Sequence, residues 1–253
     1  MVNIWGFDLS EMSFSAFSSK NMLDKRWPLR KERVILYQLA MSICLAAECT
    51  ATYSLSKYES QQTHIESLYA REHPEAPRGA IAVHNNPIIA AAVLTIVFAV
   101  FVATLFGADF FFFLQFPRRV YPRWYTRTKK ALAVFISAGV LAAALFSTVV
   151  VAGQAQRVDG SAVTEEEVQR YEAFFYRPPF VYKHWAVNIA WVVLIWVGWV
   201  AIVASTMIMF KAVEHDRIYG TDPKPDAPLE TLEGQRTPVA GEFADVEKRG
   251  GNA

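Results

Sequence analysis

Two carboxylates stand inside apolar stretches of this 253-residue chain, Glu48 and Asp109. A carboxylate surrounded by hydrocarbon costs about 3 kcal/mol or more, so each must find a proton, a cation or a hydroxyl. Such side chains mark ion and proton paths, or they are the polar contacts that hold helices together. Glu48 lies about seven residues from the far end of its stretch, roughly 10 Å deep at 1.5 Å per helical residue. Thr95 and residues 145–148 fall at the same depth on neighbouring stretches, and Asn188 lies a little shallower. The spacing predicts a protonated or hydroxyl-bonded Glu48 that ties helices together, with a proton or cation site as the alternative. Asp109 lies at the opposite depth, within reach of Arg33, Lys129, Lys130 or Lys211, and an interfacial salt bridge is expected there. The two acids are too far apart in depth to work as a carboxylate pair.

The remaining reactive side chains form no recognisable constellation. His64, His73 and His84 are separated by nine and eleven residues, which fits no zinc-ligand pattern. Cys44 and Cys49 are the only cysteines. Five residues apart on a helix, they point roughly 140° apart and cannot bridge each other. His-Glu-x-x-His, Gly-x-Ser-x-Gly, Cys-x-x-Cys and phosphate-cradling glycine loops are absent from the sequence. A protein without catalytic residues, metal or cofactor is expected. A net charge of +1 gives no general attraction to nucleic acid, which is not an expected partner.

The elements that position these residues are four apolar stretches of membrane-spanning length: residues 34–55, 87–116, 131–152 and 186–210. The expected architecture is an all-α, integral membrane four-helix bundle running up-down-up-down. Residues 1–33 are a polar N-terminal segment with scattered aromatics, read as an interfacial piece or a disordered tail. Residues 56–86 and 153–185 are outer loops. Asn86 is expected as the N-cap of the second span, with Pro87 in its first turn. Thr164 and Glu167 have the capping-box spacing, which predicts a short amphipathic helix over 165–176. Residues 211–253, rich in proline, glycine and acids, are expected to be a disordered tail. No cleavable signal peptide is expected, because the first apolar stretch begins only near Val34.

Residues 117–130 form a connector with six basic residues and no acid: Arg118, Arg119, Arg123, Arg127, Lys129 and Lys130. Short loops rich in Lys and Arg stay in the cytoplasm. An orientation with both termini and this connector inside gathers eighteen Lys and Arg inside against seven outside. The six are expected at lipid headgroups, where anionic lipid attracts each by about 1 kcal/mol. Small residues recur at four-residue spacing in Ala99, Ala103 and Gly107, and again in Gly139, Ala143 and Ser147. Such stripes let helices approach closely in lipid, where no hydrophobic force draws them together. A homo-oligomer, or assembly with other membrane proteins, follows as an expectation.

The four spans, inner termini, short basic loop and two outer loops resemble the layout of MARVEL-type tetraspan proteins. The run Arg33-Val34-Ile35-Leu36-Tyr37-Gln38-Leu39 looks like that family's first helix. The Trp and Cys signature of claudin-like outer loops is missing, since residues 56–86 contain neither. The resemblance implies membrane organisation, apposition or trafficking at the plasma membrane or in endomembranes. The competing expectation is a small channel or transporter subunit working through Glu48.

Overall fold

The computed structural model describes residues 3–4, 7–8, 12–24, 26–77, 80–117, 119, 121–159, 164–175 and 177–220. Four long helices dominate it: α2 (Arg30–Glu72), α3 (Asn86–Gln115), α4 (Arg123–Gly153) and α6 (Ala186–Tyr219). All four are long and apolar enough to cross a membrane. The short helices are α1 (Ser19–Met22) and α5 (Glu165–Phe174). The described strands are β1 (Asn3–Ile4), β2 (Phe7–Asp8), β3 (Ala82–His84) and β4 (Arg157–Asp159).

The buried faces of the long helices follow one rule. On α2 they are Tyr37, Ala40, Cys44, Ala47, Ala51, Ser54, Tyr58, Gln61 and Ile65. On α6 they are Asn188, Trp191, Ile195, Gly198, Ile202, Ser205, Met209 and Ala212. The steps alternate three and four residues. That is the 3.5-residue repeat of a left-handed supercoiled bundle, in which each side chain inserts between four of its neighbour's. Helices α3 and α4 keep the same rhythm through Ile88, Thr95, Ala99, Val102 and Phe106, and through Ala133, Ile136, Val140, Ala143 and Ser147. Each long helix contacts two others: α2 meets α3 and α6, and α4 meets α3 and α6.

Small side chains set the spacing. A Cβ on Gly198 would sit 3.1 Å from Cys44 Sγ, so α6 and α2 touch almost backbone to side chain at this point. Gly139 is covered by the Phe98 ring, which occupies the space a methyl group would need.

The helices run beyond the apolar stretches. Helix α2 continues seventeen residues past Leu55, because Tyr58, Gln61, Ile65 and Tyr69 keep the same buried face. It stops at Glu72, just before Pro74, which cannot continue a helix. Helix α6 continues past Phe210 to Tyr219, so residues 211–219 are helical rather than the tail expected from composition. Gly220 then takes φ +80° with ψ −178°, a backbone conformation open chiefly to glycine, and the helix ends. The rest of that expected tail, residues 221–253, lies outside the described residues.

The two expected loops, 56–86 and 153–185, fold against each other and against the extension of α2. Strands β3 and β4 pair antiparallel, with Val83 opposite Val158. Ile65, Tyr69, Ile81, Val83, Tyr171 and Phe180 form a second apolar core there. Helix α5 opens on the Thr164 capping box: Thr164 Oγ1 accepts from Glu167 N–H, and Glu167 accepts from Thr164 N–H. For the second span the cap shifts by one residue: Asn85, not Asn86, is the N-cap of α3, and it makes no capping bond because its side chain donates to Tyr58 O at 3.1 Å.

The described part of the N-terminal segment docks on α3. Ser13 N–H donates to Gln115 Oε1 at 3.1 Å, and Gln115 Nε2 donates back to Ser13 O at 3.3 Å. Phe17 packs at 6.3 Å from both Phe110 and Phe111. A disordered reading of this stretch is therefore replaced, for residues 12–24, by an ordered contact anchored on a buried glutamine.

Candidate functional site

Three groups of polar side chains interrupt the apolar bundle. The first is at the connector end. Asp109, on the last turns of α3, is buried. Its Oδ1 accepts from Lys129 Nζ at 2.6 Å and its Oδ2 from Arg33 Nη2 at 2.9 Å. Tyr37 O–H donates to Oδ2 at 2.7 Å. The Arg33 guanidinium lies 4.2 Å over the Phe113 ring. One carboxylate thus joins α2, α3 and α4, with both oxygens occupied. Asp216 of α6 lies close enough to interact with both cations, and Arg33 Nε has no hydrogen-bond partner among the described residues.

The second group is at the loop end. Asn188, fully buried, accepts from Ser54 Oγ at 2.6 Å. Its Nδ2 donates to Tyr58 OH and to Tyr182 O, both at 3.0 Å. Tyr58 O–H continues to Pro179 O at 3.2 Å, and Gln61 Nε2 reaches Pro178 O at 2.8 Å. These bonds clip the segment before α6 onto α2. Burial pushes the Tyr182 phenol up to about 12. Outside the bundle, His73 Nε2 lies 3.2 Å from Glu167 Oε1 and His84 Nε2 lies 3.4 Å from Asp159 Oδ2. The histidines are therefore distributed between separate pairs, and His64 bonds its own helix at Ser60 O.

The third group is Glu48 with Gln38 and Ser42. They stand on an outer flank of α2, beside Ala99 and Ala103 of α3. On the helical stripe through Tyr37, Met41, Cys44, Glu48 and Thr52, Tyr37 and Cys44 are buried while Met41 and Glu48 are half-buried at its edge. The buried face runs through Tyr37, Ala40, Cys44, Ala47 and Ala51, and Thr52 is exposed. The reason is the 3.5-residue repeat: alanines permit the close contacts with α3 and α6, while a carboxylate does not fit there. Of the hydroxyls expected at its depth, Thr95 donates to Ala91 O at 2.9 Å and Thr148 to Ala144 O at 2.7 Å, while Ser147 Oγ has no hydrogen-bond partner among the described residues.

The packing stripes divide in the same way. Ala99, Ala143 and Ser147 are buried between helices. Gly107 and Gly139 are half-buried, Gly107 against Met41. Ala103 is exposed and does not pack in the bundle, because a strict four-residue step drifts away from a 3.5-residue seam. Of the basic connector, Arg123 and Arg127 are exposed, and Lys130 is half-buried, 5.3 Å over the Phe210 ring. Arg119 is half-buried beside Tyr121. Lys129 is directed inward to Asp109. Arg118 lies outside the described residues.

Sequence reasoning singled out Asn188 and Asp109 but missed Ser54, Tyr58, Gln61 and Gln115. The signal was available for the first three, since they continue the three-four spacing of Tyr37, Ala40 and Cys44. In comparisons with known proteins, no family model, no curated protein and no solved structure matches this chain.

Proposed function

We propose that this is a non-enzymatic membrane-organising protein that crosses the bilayer four times and acts through helix–helix association. The observation that carries the reading is the distribution of polarity. Leu39, Leu45, Val97, Phe101, Phe135, Val149, Val193 and Val200 are exposed around the bundle, while Asp109, Asn188, Ser54 and Thr95 are buried within it. An exterior this rich in large apolar side chains needs lipid to cover it. In this reading the helices alternate in direction, both termini and the connector lie in the cytoplasm, and the folded loops 56–86 and 153–185 project on the other side. Exposed Arg123 and Arg127 then meet anionic headgroups.

The conducting alternative has less support. Glu48 is half-buried in the groove between α2 and α3, and the core beside it is filled by Cys44, Ala47, Ala143 and Ile195. The experiment that tests the reading is topology mapping in native membranes. Tags at residues 117–122 should be protected from outside protease, tags at 160–163 should be cleaved, and the protein should stay in the pellet at alkaline pH. Cleavage at the connector from the outside would overturn it.

A further inference from the structure

We infer that the Glu48 flank of α2 is the face on which a second copy of this chain docks. This rests on the membrane-spanning, self-associating reading above. Gln38, Ser42, Leu45 and Glu48 of α2 and Ala99 and Ala103 of α3 line one open groove of about 240 Å³. Among the described residues, Gln38, Ser42 and Glu48 make no hydrogen bond or ion pair. Leu45 stands out beside them at 58% exposure.

Lipid offers no hydrogen bond to any of these three side chains, and intramembrane polar groups pair across helices instead. What pairs them follows from their chemistry and their symmetry. Two copies inserted in the same direction are related by a two-fold axis along the bilayer normal, which keeps every residue at its own depth. Gln38 then meets Gln38, Ser42 meets Ser42 and Glu48 meets Glu48. Each is a side chain that can satisfy its own kind: an amide both donates and accepts, a hydroxyl does the same, and two carboxyls can share a proton. Ala99 and Ala103 are small enough to leave room for the protruding Leu45 of the second copy. The stretch 221–253 of the same chain is a poor occupant, because its sequence is charged and holds no apolar run.

Cys49 is exposed and adjacent to Glu48, whereas Cys44 is buried. The full chain, reconstituted in phosphatidylcholine vesicles and oxidised with copper phenanthroline, should give a disulfide-linked dimer. Cys49→Ser should remove it and Cys44→Ser should keep it. In dilution measurements by energy transfer between labelled copies, Glu48→Leu should weaken association about tenfold or more, and Glu48→Gln by less than about threefold. Thermal unfolding should be unchanged in both, since Glu48 has no hydrogen-bond or ion-pair partner among the described residues of its own chain. The assignment fails if Glu48→Leu associates like the parent chain. It also fails if Val134→Cys, on the exposed face of α4, cross-links while Cys49 does not. That last result would leave self-association standing and move it to another face. A chain monomeric at every protein-to-lipid ratio would overturn both this inference and the self-association it rests on.

Discussion

Asp109 of α3 and Lys129 of α4 lie twenty residues apart in the chain, yet Lys129 Nζ sits 2.6 Å from Asp109 Oδ1. Their contact closes the connector end of the bundle, and Arg33 brings α2 to the same carboxylate.

Removing that carboxylate leaves two cations buried together. Asp109→Asn is expected to destabilise the bundle by about 3–5 kcal/mol, the cost of breaking a buried pair from one side. Unfolding of the purified protein in mixed micelles measures it. Lys129→Met should cost less, since Arg33 and Tyr37 still satisfy Asp109. The double variant should be less damaging than the sum of the singles, and simple additivity would argue that the two side chains act independently.

At the other end, Asn188→Leu keeps the volume and removes three hydrogen bonds. Ser54 and Tyr58 are then left with buried polar atoms, at a cost of about 1–3 kcal/mol. The same unfolding assay applies, and hydrogen exchange should rise first in residues 177–185. Protection unchanged there would show that the Asn188 network does not hold this segment.

Gly198 reports on helix spacing. Alanine requires Cys44 Sγ to move by a few tenths of an ångström and should change stability by less than about 1 kcal/mol. Leucine must push α2 and α6 apart, with an expected loss of about 1–3 kcal/mol or more. Equal stability of the two variants would mean that the contact is looser than the structure has it.

The loop unit should respond to acid through Glu167. Its hydrogen bond from Thr164 N–H, followed by its contacts with the Thr164 hydroxyl and His73, holds its carboxyl below the usual glutamate range. A depressed folded-state value means that the stabilisation is complete above the ordinary glutamate range and lost as pH falls through the lower, folded value. Helix α5 should therefore lose hydrogen-exchange protection on acidification below about pH 4.5. Glu167→Gln should flatten that dependence, and a variant with the parent's pH profile would assign the effect to another group.

Much of the architecture was legible in one dimension. Four apolar runs of spanning length, the prolines at 74, 87, 117 and 122, and the Thr164–Glu167 capping pair all act over a few residues, so composition and spacing expose them. The site was less legible. Reading Glu48 as buried followed from helical spacing alone, and spacing cannot say which of two neighbouring stripes faces inward.

What the chain's order of residues determined by itself is the set of long helices, their apolar character and the basic connector, because these depend on local hydrophobicity and charge. Only the tertiary structure decided that Asp109 is shared among three helices, that Asn188 holds Tyr58 and Ser54, and that Glu48 is half-buried in the groove between α2 and α3. Each depends on the mutual rotation of the helices. That rotation is set by where Gly198 and the alanines Ala40, Ala47 and Ala51 allow close contact, a property of pairs of helices that no single stretch contains.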